Sequence, residues 1–102
     1  MNLIQLLLPL HDNDKRLFSR DEFDRVRDEL AKRFGGITAF RRSPAEGVWR
    51  EGQEDVSRDE VVIFEVMTER LNRKWWSGYR KDLEKRFRQE ELVIRATQVE
   101  LL

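Results

Sequence analysis

The chain contains no cysteine, which excludes disulfides, thiolate metal sites and cysteine nucleophiles. It has a single histidine, His11, so no cluster of imidazoles exists to hold a transition metal. Net charge is missing as well: 20 basic and 20 acidic residues cancel when the histidine is neutral. A dedicated nucleic-acid binder normally carries a basic excess, so the balance argues against that class. Long apolar runs are also absent. Leu3-Ile4-Gln5-Leu6-Leu7-Leu8 is far too short to span a bilayer. It also lacks the basic start and small-residue cleavage site of a signal peptide. No membrane partner is indicated, and a cytoplasmic location is the expectation. Only two prolines and five glycines punctuate 102 residues. The length suits one domain, residues 1–102.

What is present is organised around a stretch that occurs twice. Arg27-Asp28-Glu29-Leu30-Ala31-Lys32-Arg33-Phe34 and Arg80-Lys81-Asp82-Leu83-Glu84-Lys85-Arg86-Phe87 share the plan Arg-x-x-Leu-x-Lys-Arg-Phe. Upstream apolar residues extend both copies, giving Phe23, Val26, Leu30, Phe34 and Trp76, Tyr79, Leu83, Phe87. Steps of three, four and four place each set on one face of an α-helix. Ser19 and Glu22 form a capping-box pattern, so the first helix should start near residue 20. Gly35-Gly36 should supply its left-handed C-cap. The second helix is expected over about 72–88 with Asn72 as its cap. Gly78 inside it weakens the helix or lets another backbone come close. Trp76 fits the buried stripe of this helix, whereas Trp75 lies off it.

Four apolar or β-branched runs surround these helices. Residues 3–8 read as a first strand ended by Pro9, and residues 37–41 as a second. Val61–Met67 is the strongest strand signal, and Leu92–Val99 alternates as a fourth. Between the second and third, Gly47-Val48-Trp49-Arg50 should pair back onto Asp55–Ser57 across a turn near Gly52, because a long structureless loop is unusual in a compact domain. The predicted class is therefore α+β: a ferredoxin-like βαββαβ sandwich with antiparallel strand order 4-1-3-2 and both helices on one face.

That plan leaves one sheet face bare. Ile4, Leu6, Leu8, Val62, Phe64, Val66, Leu92, Ile94 and Ala96 should point toward the helices. The other face then carries Leu3, Gln5, Leu7, Val61, Ile63, Glu65, Met67, Val93, Arg95, Thr97 and Val99. Apolar surface of this extent usually marks an interface, and a two-fold homodimer is the simplest cover. Gln5, Glu65 and Arg95 should lie side by side within it. An amide, a carboxylate and a guanidinium in an apolar surround can orient a small molecule, or they can lock the register of a dimer. The residues expected to bind a ligand or partner are thus Gln5, Trp49, Val61, Ile63, Glu65, Arg95 and Thr97.

Other chemistry is thin. His11, Asp12 and Asp14 make a ligand-like run, but a calcium loop needs more oxygen ligands and a glycine at set positions. A surface turn is the expectation there, and no metal is expected. Gly35-Gly36 follows a helix rather than a strand, so it is not a phosphate loop, and no cofactor is implied. The strand and helix order is shared with RNA-recognition motifs, but the first strand has no stacking aromatic and the third only Phe64, beside Glu65.

Leu6-Leu7-Leu8-Pro9, Arg33-Phe34-Gly35-Gly36-Ile37-Thr38-Ala39, Pro44-Ala45-Glu46-Gly47-Val48-Trp49 and Arg86-Phe87-Arg88-Gln89-Glu90-Glu91 carry a resemblance. In these stretches the chain resembles a group of bacterial single-domain proteins of about this length with a ferredoxin-like fold. The resemblance brings no defined activity. More loosely, the architecture is similar to the dimeric α+β barrel superfamily, which includes monooxygenases and haem-degrading enzymes with a cavity between helices and sheet. Two functional expectations follow. The first is a homodimer with a binding or assembly role, using the bare face, the Trp49 hairpin and Leu101-Leu102. The alternative is a cofactor-poor, monooxygenase-like enzyme acting on a small apolar molecule, with His11, Glu65 and Arg95 as its working residues.

Overall fold

The computed structural model describes the backbone of residues 1–40, 46–51 and 55–102, and the side chains of residues 1–37 and 61–102. In order the elements are β1 (Asn2–Pro9), α1 (Arg20–Phe34), β2 (Thr38–Phe40), β3 (Glu46–Glu51), β4 (Asp55–Thr68), α2 (Arg73–Arg86) and β5 (Val93–Gln98).

Each helix begins and ends for local reasons. Asp21 and Glu22 lie in the first turn of α1, and Lys32 and Arg33 in its last, complementing the helix dipole. Gly35 adopts a φ of 75° and donates its N–H to the Ala31 carbonyl at 2.8 Å, a position where a residue bearing a Cβ is strained. The capping box does not form. Ser19 makes no side-chain cap bond; the Glu22 N–H is donated to the Ser19 backbone carbonyl at 3.1 Å. At α2, by contrast, Asn72 Oδ1 accepts the Trp75 N–H at 3.0 Å. This helix stops two residues short of expectation. Arg88, with φ 52°, takes the left-handed turn that a glycine usually supplies.

Gly78 faces open space: a Cβ built there meets nothing within 4 Å. Of the two readings of this glycine, the close backbone approach is not seen among the described residues, and the cost to helix stability is what is left. Gly78→Ala is expected to stabilise the protein by about 0.5–1 kcal/mol, read as a higher urea midpoint at unchanged slope.

At the centre of the sheet, β1 pairs antiparallel with β4 on one side and β5 on the other. The short β2 pairs with the far edge of β4, and β3 with its first half, giving the order β2-β4-β1-β5 with β3 off that path. The coarse expectation, a small α+β domain with two helices and an antiparallel sheet, matches this arrangement. The plain four-strand βαββαβ plan does not. The run at 61–67 is the second half of a 14-residue strand, whose first half belongs to a hairpin with β3. That strand turns back on β3 with Trp49 opposite Ser57. The hairpin expected at 47–57 is formed, and its β3 adds a fifth strand beside the path β2-β4-β1-β5, so the sheet is not the plain four-strand plan.

The core fills one side of this sheet. Ile4, Leu6 and Leu8 of β1 and Val62, Phe64 and Val66 of β4 are buried against Val26 and Leu30 of α1 and Trp76, Leu83 and Phe87 around α2. Leu30 and Leu83, the matched leucines of the repeat, are both 0% exposed. Both helices therefore pack on the same face. Ala96 shares that face through its pairing with Ile4, yet it is exposed: β5 is the edge strand and the helices do not reach over its far end. Trp76 stacks on Phe34 at 5.2 Å, joining the second helix to the end of the first.

Candidate functional site

Antiparallel pairing puts directly opposed residues on the same side of a sheet, so the register lays out the open face row by row. Met67, Leu3 and Thr97 form one row across β4, β1 and β5. Glu65, Gln5 and Arg95 form the next, and Ile63, Leu7 and Val93 the third. A polar row therefore crosses the middle of an apolar surface. No described element packs over it. Met67, near the end of β4, and Val93, at the start of the edge strand β5, are 52% and 47% exposed, while Leu3, Leu7 and Ile63 are half-buried.

Within the central row, Arg95 Nε donates to Gln5 Oε1 at 2.8 Å. The Glu65 carboxylate makes no hydrogen bond or ion pair with another described residue. Its Cα lies two strand spacings from that of Arg95, about 10 Å, with Gln5 between. Thr38 of β2 stands opposite Glu65 on the other side. Gln5, Val61, Ile63, Glu65, Arg95 and Thr97 are thus brought onto one face. Trp49 sits in the β3–β4 hairpin, and its side chain lies outside the described residues. Leu101 and Leu102 are exposed.

His11 is not brought to this row. It lies six residues beyond Gln5, about 20 Å along an extended chain, and bridges to Leu17 in the turn that follows β1. In that turn Asp12 Oδ1 accepts the backbone N–H groups of Asp14 and Arg16, each at 2.9 Å. The bond from Arg16, more than the others, holds the Asp12 carboxyl below its ordinary range. Asp12 is occupied in shaping the turn.

A second cluster was not foreseen from the sequence. Tyr79 Oη of α2 donates to Glu29 Oε1 of α1 at 2.9 Å, and Arg86 Nη1 donates to the same oxygen at 2.6 Å. Burial opposes the Arg86 charge, but the bond and charge of Glu29 outweigh it and hold the guanidinium protonated. Beside this cluster an open cavity of about 530 Å³ is lined by Asn72, Lys74, Trp75, Gly78, Tyr79 and Asp82. Its rings are already engaged. Trp75 stacks on Tyr79 at 4.9 Å and Arg33 lies 4.1 Å over Trp75, so the cluster staples the two helices together. The signal was available in part, because Glu29 and Arg86 each flank a buried stripe position in the two copies of the repeat.

Tyr79 is pushed well above its ordinary value of 10.0, first by burial and then by the Glu29 hydrogen bond and charge. A raised tyrosine favours folding while the phenol keeps its proton. The contribution is full below about pH 10 and is lost as pH rises through the folded-state value. Unfolding free energy is therefore expected to gain a declining limb above about pH 10 that Tyr79→Phe removes. Tyr79 is the sole tyrosine, so absorbance at 295 nm should show no tyrosinate until the chain unfolds.

No protein-family model matches the chain, and no curated protein does. Solved structures do match. One is a phage SAM lyase in complex with S-methyl-5'-thioadenosine, with a TM-score of 0.59 and 17% identity over 95% of this chain and 80% of that one. Another is a phage SAM lyase in the apo state, with a TM-score of 0.53 and 19% identity over 94% of this chain and 78% of that one. These matches establish a shared fold. Among the described residues no helix is long and apolar enough to cross a membrane.

Proposed function

We propose that the protein is a self-associating binding domain of ferredoxin-like type that works through its open sheet face, as a homodimer. One observation carries the reading: two apolar rows flank the polar row Glu65-Gln5-Arg95 on a surface that no described element covers. Water is a poor neighbour for such a patch, at roughly 25 cal/mol for each Å² of apolar area. A second copy offers the same patch for mutual cover. Light scattering should give about 25 kDa, twice the chain mass of 12.3 kDa. A mass of one chain at every concentration up to 100 µM would remove the reading.

A second reading is favoured by the fold match together with the setting of Glu65. The matched structures are SAM lyases, one holding S-methyl-5'-thioadenosine. Release of that thioether from S-adenosylmethionine breaks the bond between the sulfonium sulfur and the amino-carboxypropyl chain: the electron pair stays on sulfur, and the substrate's own carboxylate oxygen closes on the freed carbon to give a lactone. Glu65 is a carboxylate in an apolar surround with no partner among the described residues, a setting that attracts a cation such as a sulfonium. On this reading Glu65 holds the sulfonium, Arg95 the substrate carboxylate, and the flanking rows the apolar parts. Incubation with S-adenosylmethionine, followed by chromatography for the thioether, tests it. Product should form and should fall by about 100-fold or more in Glu65→Gln. Absence of product with the wild-type protein rejects it.

A further inference from the structure

The open face carries its own charge code, which selects how a second copy sits on it. This step rests on the self-association reading above. Glu65 and Arg95 lie at opposite ends of one row with Gln5 at its middle. Two sheets packed face to face are related by a two-fold axis lying between them, and the direction of that axis decides which charges meet. An axis running along the row sets Glu65 over Glu65 and Arg95 over Arg95, placing like charges against each other as water leaves. An axis parallel to β1, passing over Gln5, reverses the row. Glu65 then faces Arg95 of the second copy, and Arg95 faces its Glu65.

We infer that the protein dimerises about an axis parallel to β1, with two reciprocal Glu65–Arg95 pairs crossing the interface. The apolar rows agree with this choice. The same axis sets Ile63 over Val93 of the second copy, Leu3 and Leu7 each over its own equivalent, and Met67 over Thr97 at the rim, so no charge other than the Glu65–Arg95 pairs is brought onto these rows. Arg95 is also prepared for the role. Its Nε is held by Gln5, which fixes the side chain, while both Nη groups, unbonded among the described residues, can donate to an incoming carboxylate. Within one chain the two charges do not pair, being separated by Gln5, so the complement is supplied from outside. Strands in the two sheets then run within about 30° of each other, the aligned class of sheet packing.

Charge reversal tests the axis. In Glu65→Arg each interface pair becomes two arginines, and in Arg95→Glu it becomes two glutamates. Each variant alone is expected to dimerise at least about 100-fold more weakly than the wild-type chain, measured by sedimentation equilibrium. An equimolar mixture of the two variants should recover a heterodimer, because both of its contacts are again Glu to Arg. The double variant Glu65→Arg/Arg95→Glu should return to within about tenfold of wild type. Recovery on mixing excludes misfolding as the cause of the loss. If the single variants dimerise as tightly as wild type while Ile63→Glu is monomeric, the face is correct and the axis proposed here is wrong. A wild-type chain that stays monomeric overturns both the axis and the self-association reading, and leaves the face to a different occupant.

Discussion

Leu83→Ala is expected to lower the unfolding free energy by about 2–5 kcal/mol. Leu83 is 0% exposed and belongs to the cluster that joins both helices to β1 and β4. Truncation removes the transfer free energy of three carbons and leaves a cavity walled by two helices and a sheet. Backbones on three sides restrict collapse into that space, which places the loss toward the upper part of the range. A domain of this size has roughly 5–15 kcal/mol in total, so the variant should be visibly closer to unfolding at 37 °C. Leu30→Ala should behave alike, since Leu30 is also fully buried on the matching helix. Leu17→Ala is the control: that side chain is 65% exposed, and its loss should cost no more than about 0.5 kcal/mol. Urea titration followed by tryptophan fluorescence separates these outcomes, with shifted midpoints and a common slope.

Ile63→Glu is expected to abolish self-association while leaving the fold nearly intact. Ile63 stands beside Leu7 on the open face and pairs with Phe40 of β2 on its other side. In the single chain it is half-buried, so a carboxylate there can still reach water, and the cost in folding stability should stay below about 1 kcal/mol. Against a second copy the same carboxylate loses its water and gains no cation, because the groups above it are apolar. An unpaired charge buried in this way costs about 3–5 kcal/mol. With two such sites in each symmetric dimer, the dissociation constant should rise by at least about 100-fold. Sedimentation velocity on the variant should show a single monomer boundary. Val61→Glu, nearer the end of β1 opposite Pro9, should act in the same direction with a smaller effect.

Periodicity made most of this fold readable. The two helices were visible in the stripes Phe23-Val26-Leu30-Phe34 and Trp76-Tyr79-Leu83-Phe87, and the alternation of β1 told which face each residue takes. Gln5, Glu65 and Arg95 came out in one row because register follows from parity once the strand order is known. The departures have local causes. The Glu22 N–H bonds to the Ser19 carbonyl in place of the Ser19 side chain, and Arg88 shows that a left-handed turn does not require glycine. The hairpin with β3 was legible, but Asp55–Glu60 lacks a clear apolar pattern, so its continuity with 61–67 in one 14-residue strand was not. The Tyr79-Glu29-Arg86 cluster was missed because it joins residues 50 and 57 positions apart, and charge patterning within one helix cannot show that. Trp75 lay off the stripe since its ring packs sideways, on Tyr79 and Phe34.

The most direct measurement is how strongly a water-soluble paramagnetic probe relaxes individual methyl groups of the wild-type protein in solution. Met67 and Val93 are 52% and 47% exposed on the open face of one chain, while Leu17 is 65% exposed away from it and Leu30 is fully buried. If the face is covered, the Met67 and Val93 methyls should be protected like Leu30 at high protein concentration and become accessible on dilution. Relaxation of Met67 and Val93 as fast as that of Leu17 at every concentration would contradict a covered face.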